Sequence, residues 1–166
     1  MIIFDASTLI LLARTDILEL FINNAKMTAA MPEAVKQETC SAPREETPFI
    51  NSLMDQGKIT VKNVKNRKQI QKLMTDFCID PGETEAIMLA LNEEGGIVAT
   101  DDRNAIRACK MLNIGFITAI SVLIGLHEKG CISGDVALLK LEKLASIGRY
   151  SKAIIAEAKL NITGEQ

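Results

Sequence analysis

The stretch Asp80–Asn104, DPGETEAIMLALNEEGGIVATDDRN, constrains the fold more than any other part of the chain. Asp80-Pro81-Gly82 marks a turn. Glu83 and Glu85 then fall in the first turn of an apolar helix, which stops at Glu93-Glu94-Gly95-Gly96. A short apolar strand, Ile97-Val98-Ala99, follows and ends at Thr100-Asp101-Asp102. Acids therefore mark the start of one helix and the place where the next strand hands over to another. In a parallel α/β sheet those two places lie on one edge, the edge where sites are built.

The rest of the chain repeats this alternation. Met1–Phe4 is a continuous apolar run, as expected of a central strand buried on both faces, and it ends at Asp5. Ala6-Ser7-Thr8, an apolar segment Leu9–Ala13 and an amphipathic piece Asp16–Ile22 come next. Taken singly, Asp5 and Ser7 read as helix caps. Their functional reading is a carboxylate at the end of the central strand, with a hydroxyl beside it to hold a water or ligand. Met27–Met31 is a second strand, and Pro32-Glu33 opens a helix with Pro at its first position. That helix carries Glu33, a dipole partner, and Glu38, which alone reads as part of a solvated face. Pro43–Gln56 reads as a helix with exposed acids Glu45 and Glu46. Lys58–Val64 reads as a half-exposed edge strand. Asn66–Cys78 is a basic amphipathic helix whose Arg67, Lys68 and Lys72 form either a solvated face, the preferred reading, or a phosphate-steering patch.

Beyond the central stretch the pattern predicts a helix at Arg103–Leu112, a strand at Gly115–Thr118 and an apolar helix at Ala119–Glu128, with His127 at its end. Helices at Gly134–Ile147 and Tyr150–Leu160 and a frayed tail at Asn161–Gln166 complete the chain. The expectation is one three-layer α/β/α domain over residues 1–166 with a mainly parallel sheet, residues 134–160 forming a packed C-terminal helical extension.

Composition narrows the function classes. A 166-residue chain that is 48% hydrophobic but only 4% aromatic can build one domain with an aliphatic core. The net charge of −2 gives no global basic footprint for nucleic acid, so any such partner would need local basic patches or a bound cation. Four scattered cysteines without a CxxC pair suit a reducing, cytoplasmic setting. Met1–Asp5 has no basic region before its acid, so a secretory signal is not expected. The longest mostly apolar stretch, Ile114–Leu126, is shorter than the ~20 residues of a membrane span. A single histidine excludes two-histidine zinc motifs, and no glycine-rich nucleotide loop is present. An aspartyl phosphatase needs a second Asp two residues after the first, where Ser7 stands.

Asp5, Glu83/Glu85 and Asp101/Asp102 thus belong to one sheet edge, and the helix after the second strand can bring Glu38 there. Carboxylates gathered in this way repel one another unless a divalent cation neutralises them. Oxygen-only ligands favour Mg²⁺ or Mn²⁺. Such ions can activate water and stabilise a leaving oxygen in phosphodiester cleavage.

Four segments in this order, strand-Asp5-Ala6-Ser7, Pro32-Glu33-Ala34-Val35-Lys36-Gln37-Glu38, Gly82-Glu83-Thr84-Glu85-Ala86-Ile87 and Thr100-Asp101-Asp102-Arg103, resemble the PIN domain. That is the metal-dependent ribonuclease fold that includes VapC-type toxins. The Gly-Glu-x-Glu-Ala form resembles a prokaryotic subgroup, and the likeness runs from Ile2 to about Ser133. It implies that Asp5, Glu38, one of Glu83/Glu85 and one of Asp101/Asp102 bind Mg²⁺ or Mn²⁺. The family's acid-Ala-apolar pattern favours Glu85, and its Thr-x-Asp pattern favours Asp102. Commoner members carry Asp at the helix position and a single acid near the fourth site. Ser7 and Thr100 would support the metal or its water. Arg103 and Arg107 would either contact phosphate or form surface salt bridges. The implied activity is endoribonuclease, and the implied partners are single-stranded RNA and an antitoxin protein. The apolar stripe in Asp16–Ile22 and the C-terminal helices would serve either a homodimer, as in many proteins of this kind, or packing within the domain. A PIN-like module that binds RNA or protein without cutting is the alternative.

Overall fold

The computed structural model describes residues 1–41 and 44–164. Among them, five strands alternate with ten helices. Strand β1 (Ile2–Phe4) leads into helices α1 (Ala6–Arg14) and α2 (Leu18–Asn24), then strand β2 (Ala29–Pro32). Helices α3 (Glu33–Cys40) and α4 (Thr47–Asp55), strand β3 (Ile59–Lys62) and helices α5 (Arg67–Phe77) and α6 (Pro81–Asn92) follow. Strand β4 (Ile97–Ala99), helix α7 (Arg103–Met111), strand β5 (Gly115–Ile117) and helices α8 (Ala119–Glu128), α9 (Gly134–Ile147) and α10 (Lys152–Thr163) complete the chain.

The strand order is β3-β2-β1-β4-β5, and every pairing is parallel. The apolar run at the N-terminus is therefore the central strand, and the half-polar Ile59–Lys62 lies at an edge, as the sequence pattern requires. Successive side chains of a strand point to opposite faces, and this splits the core in two. Ile2 and Phe4 join Leu9 and Leu12 of α1, Leu53 of α4, Leu123 of α8, Leu144 of α9 and Ile162 of α10. Ile3 faces the other way, against Leu73 of α5, Ile87 of α6 and Cys109 of α7. A three-layer α/β/α domain results.

Several boundaries depart from expectation for local reasons. Pro32 is the last residue of β2 and the N-cap of α3, not its first helical residue. Asp16 stands at φ +56°, in the left-handed region, so it turns the chain instead of opening a helix, and α2 begins at Leu18. Pro43 lies outside the described residues, and α4 begins at Thr47. Glu46 is not an exposed acid: its side chain is 10% exposed and pairs with Arg14 at 3.0 Å. Tyr150 lies in the connection before α10, whose N-cap is Ser151. That helix continues through the expected frayed segment to Thr163, because Ile162 is buried, and ends on Gly164 at φ +70°. Residues 165 and 166 lie outside the described residues. His127 closes the end of α8, with Nδ1 3.2 Å from the Ile132 carbonyl.

Candidate functional site

The C-terminal ends of β1 and β4 and the N-termini of α1, α6 and α7 share one edge of the sheet. Asp5 stands at the centre of that edge, as the N-cap of α1. It is only 1% exposed. Its Oδ1 accepts the Thr8 amide at 2.7 Å and the Ser7 hydroxyl at 3.2 Å. Its Oδ2 is buried and has no hydrogen-bond partner. Leaving a buried charged oxygen unpaired is costly. Burial accordingly pushes the Asp5 carboxyl up to about 6, the Thr100 and Thr8 groups offset part of the shift, and the nearby charge of Asp101 adds to it.

Glu83 is the second perturbed acid. It completes the capping box of α6, its Oε2 accepting the Asp80 amide at 3.0 Å. Burial pushes it up to about 7, and the charges of Asp102, Asp5 and Asp80 contribute further. Glu83 therefore belongs electrostatically to Asp5 and Asp102. Glu85, two residues on, is directed elsewhere: its Oε2 accepts the amide of Ala34 at 3.3 Å, near the start of α3. Residues two apart on a helix do not share a face.

Asp102 caps α7, with Oδ1 accepting the amides of Asn104 at 2.8 Å and Ala105 at 2.9 Å. Thr100 is fully buried, and its hydroxyl accepts the Asp102 amide at 3.2 Å. The neighbouring Asp101 points to different partners. Its Oδ2 accepts the Thr8 hydroxyl at 2.8 Å and the Ala119 amide at 3.0 Å, and its Oδ1 accepts the Tyr150 hydroxyl at 2.8 Å. Glu38 reaches the edge from α3, exposed, with its Oε2 over Gly82. A Cβ on Gly82 would lie 3.6 Å from that oxygen and 3.2 Å from Val35 Cγ2, so the glycine lets α3 and α6 approach.

Arg103 is exposed on the first turn of α7, directly after Asp102. Arg107 donates weakly to the Phe77 carbonyl at 3.5 Å, so its guanidinium leans on the end of α5. Thr8 and Tyr150 were not legible as site residues. Thr8 looks like a routine residue of a helix first turn, and Tyr150 is 49 residues from Asp101 with no pattern linking them.

The donor set suits a hard divalent cation, being all oxygen and anionic, with one buried oxygen unpartnered. Among the described residues no three His, Cys, Asp or Glu side chains already form a ready ligand group. Binding would therefore require side-chain rotation at the partly exposed acids.

The perturbed acids predict a pH dependence. A carboxyl whose folded value is raised contributes stability that is full below its unfolded value and is lost as pH rises through its folded value. For Asp5 and Glu83 that window runs from about pH 4 to pH 7. The metal-free protein should be more stable to urea at pH 5 than at pH 7.5, by on the order of 2–3 kcal/mol. Saturating Mn²⁺ should shrink the difference. Stability that rises over this interval without metal would contradict the burial argument.

The structure is a parallel α/β domain with carboxylates placed where its central strands end, the edge at which such sheets build their sites. Comparison with known families agrees: a family model described as a PIN domain matches residues 1–165. The chain belongs to the PIN-domain family. Its members are generally nucleases that bind nucleic acid and use divalent metals. No curated protein sequence matches the chain. Among the described residues, no helix is long and apolar enough to cross a membrane.

Proposed function

We propose that this PIN domain is a Mg²⁺- or Mn²⁺-dependent endoribonuclease acting on single-stranded RNA, as the toxin of a toxin–antitoxin pair in the cytoplasm of a prokaryote. The observation that carries the reading is the buried, unpartnered Oδ2 of Asp5, beside further carboxylates at the end of the central strand. Asp5, Glu38, Glu83 and Asp102 would hold the metal, with Glu85 and Asp101 supporting the elements that carry them. When bound, a divalent ion neutralises the acids, lowers the pKa of a coordinated water and stabilises charge on phosphate oxygens.

The remaining work falls to the chain's own residues. Ser7 and the Thr8 amide orient Asp5 through its Oδ1, which leaves Oδ2 for binding. The α7 amides orient Asp102 in the same way through one oxygen. Arg103 stands ready to take a phosphate oxygen. The basic residues Arg67, Lys68 and Lys72 of α5 supply local positive charge that the net charge of −2 does not. The apolar side chains that α9 and α10 leave exposed, Leu139 and Leu160 among them, suit a homodimer; a monomer by light scattering at high concentration would end that part of the proposal.

The test is incubation of the purified protein with single-stranded RNA in Mn²⁺ and in EDTA. Cleavage in Mn²⁺ that EDTA abolishes is the expected result. The alternative, a non-catalytic RNA- or protein-binding module, is favoured by the absence of a ready ligand group among the described residues. It predicts RNA binding without cleavage.

A further inference from the structure

Asp101 is next to Asp102 in the chain and its charge acts on Asp5, yet its two oxygens already take three hydrogen bonds. Thr8 and the Ala119 amide hold Oδ2, and Tyr150 holds Oδ1. These donors come from α1, from the start of α8 and from the connection between α9 and α10. Thr8 also anchors Asp5 through its amide, at 2.7 Å. One carboxylate thus joins the element that carries Asp5 to the C-terminal helices. Tyr150 is partly buried, and burial together with the adjacent Asp101 charge raises its phenol well above the ordinary range, so it remains a donor.

We propose that Tyr150 is a positioning residue that acts through Asp101 and Thr8 to hold Asp5 in place for metal binding, so that the C-terminal helices form part of the site's scaffold. This deepens the metal-site reading above and rests on it. Asp101 here is a bracket and not a ligand. Its charge is retained close to Asp5, where it raises the demand for a cation. Its geometry is set by hydrogen bonds to a charged group, among the stronger kind in proteins.

The decisive experiment is a double-mutant cycle on Mn²⁺ affinity, read by titration calorimetry, with Tyr150→Phe, Asp101→Asn and the pair. Tyr150→Phe removes one oxygen and is expected to weaken Mn²⁺ binding about tenfold, the size of one hydrogen bond to a charged group. In the Asp101→Asn background the same change should have little further effect, since residues acting as a unit are not additive. Thr8→Val removes a second donor to the same carboxylate and should weaken Mn²⁺ binding similarly, which serves if Tyr150→Phe folds poorly. A Tyr150→Phe protein that melts earlier but binds Mn²⁺ as wild type does would overturn the inference and leave Tyr150 a structural pin. An Asp101→Asn protein that loses Mn²⁺ as completely as Asp5→Asn would overturn it too, making Asp101 a direct ligand. Failure of the wild type to bind Mn²⁺ would instead overturn the metal-site reading itself.

Discussion

Asp5→Asn is expected to abolish Mn²⁺-dependent RNA cleavage while raising the melting temperature of the metal-free protein. The two effects have one cause. Asp5 holds a buried oxygen with no partner, and burial drives its carboxyl up to about 6. At neutral pH the folded protein therefore carries an uncompensated charge. Asparagine keeps the cap on α1, because its side-chain oxygen can accept the Thr8 amide as Asp does. It removes the charge and with it the mutual repulsion with Asp101 and Glu83. Raising a carboxyl this far above its ordinary value corresponds to about 3 kcal/mol as an upper figure. For a chain of this size each kcal/mol moves the melting temperature by about 2–4 °C. Cleavage should fall by roughly a hundredfold or more, since even partners outside a metal's direct ligand set cost roughly 10–100-fold when removed. A mutant that melts lower and still cleaves would reduce Asp5 to an ordinary helix cap.

The second large effect separates two glutamates two residues apart. Glu83→Gln should lose Mn²⁺ binding and cleavage, on the order of a hundredfold. Glu85→Gln should retain most of both. Burial drives Glu83 up to about 7, and the charges of Asp102 and Asp5 contribute to the shift. Glu85 is spent on the Ala34 amide, at 3.3 Å. After Glu85→Gln the side-chain amide carbonyl can still accept that amide, so the expected cost is a stability loss of about 1 kcal/mol or less. The measurement is calorimetric Mn²⁺ titration of both variants alongside RNA cleavage. The opposite pattern would return the ligand role to Glu85, as the family's acid-Ala-apolar pattern suggests.

That contrast shows where sequence was informative. The apolar run before Asp5 had to be a central strand, because nothing in it tolerates water, and β1 is the middle strand of the sheet. The turn at Asp80-Pro81-Gly82 and the glycine stop at Gly95-Gly96 bracket α6 because they act locally. Local chemistry therefore brought the ends of β1, β4 and the start of α6 to one edge. What sequence could not carry was side-chain direction and distant pairing. Nothing local says that Glu85 reaches back to Ala34, or that the two oxygens of Asp101 are divided among Thr8, Ala119 and Tyr150. The family pattern pointed to Glu85, and nothing in the sequence says that burial and neighbouring charge act on Glu83. Glu46 reads as a surface acid because its partner, Arg14, comes from another helix. The left-handed turn at Asp16 was hidden because aspartate gives a weaker signal for positive φ than glycine does.

The most direct test is an anomalous difference map from crystals grown in MnCl₂. A peak within direct coordination distance of Asp5 Oδ2, with Glu83 and Asp102 turned toward it, is the expected result. An empty edge at saturating Mn²⁺, with Asp5 Oδ2 held by a protein donor and Glu83 still bound only to the Asp80 amide, would contradict the account.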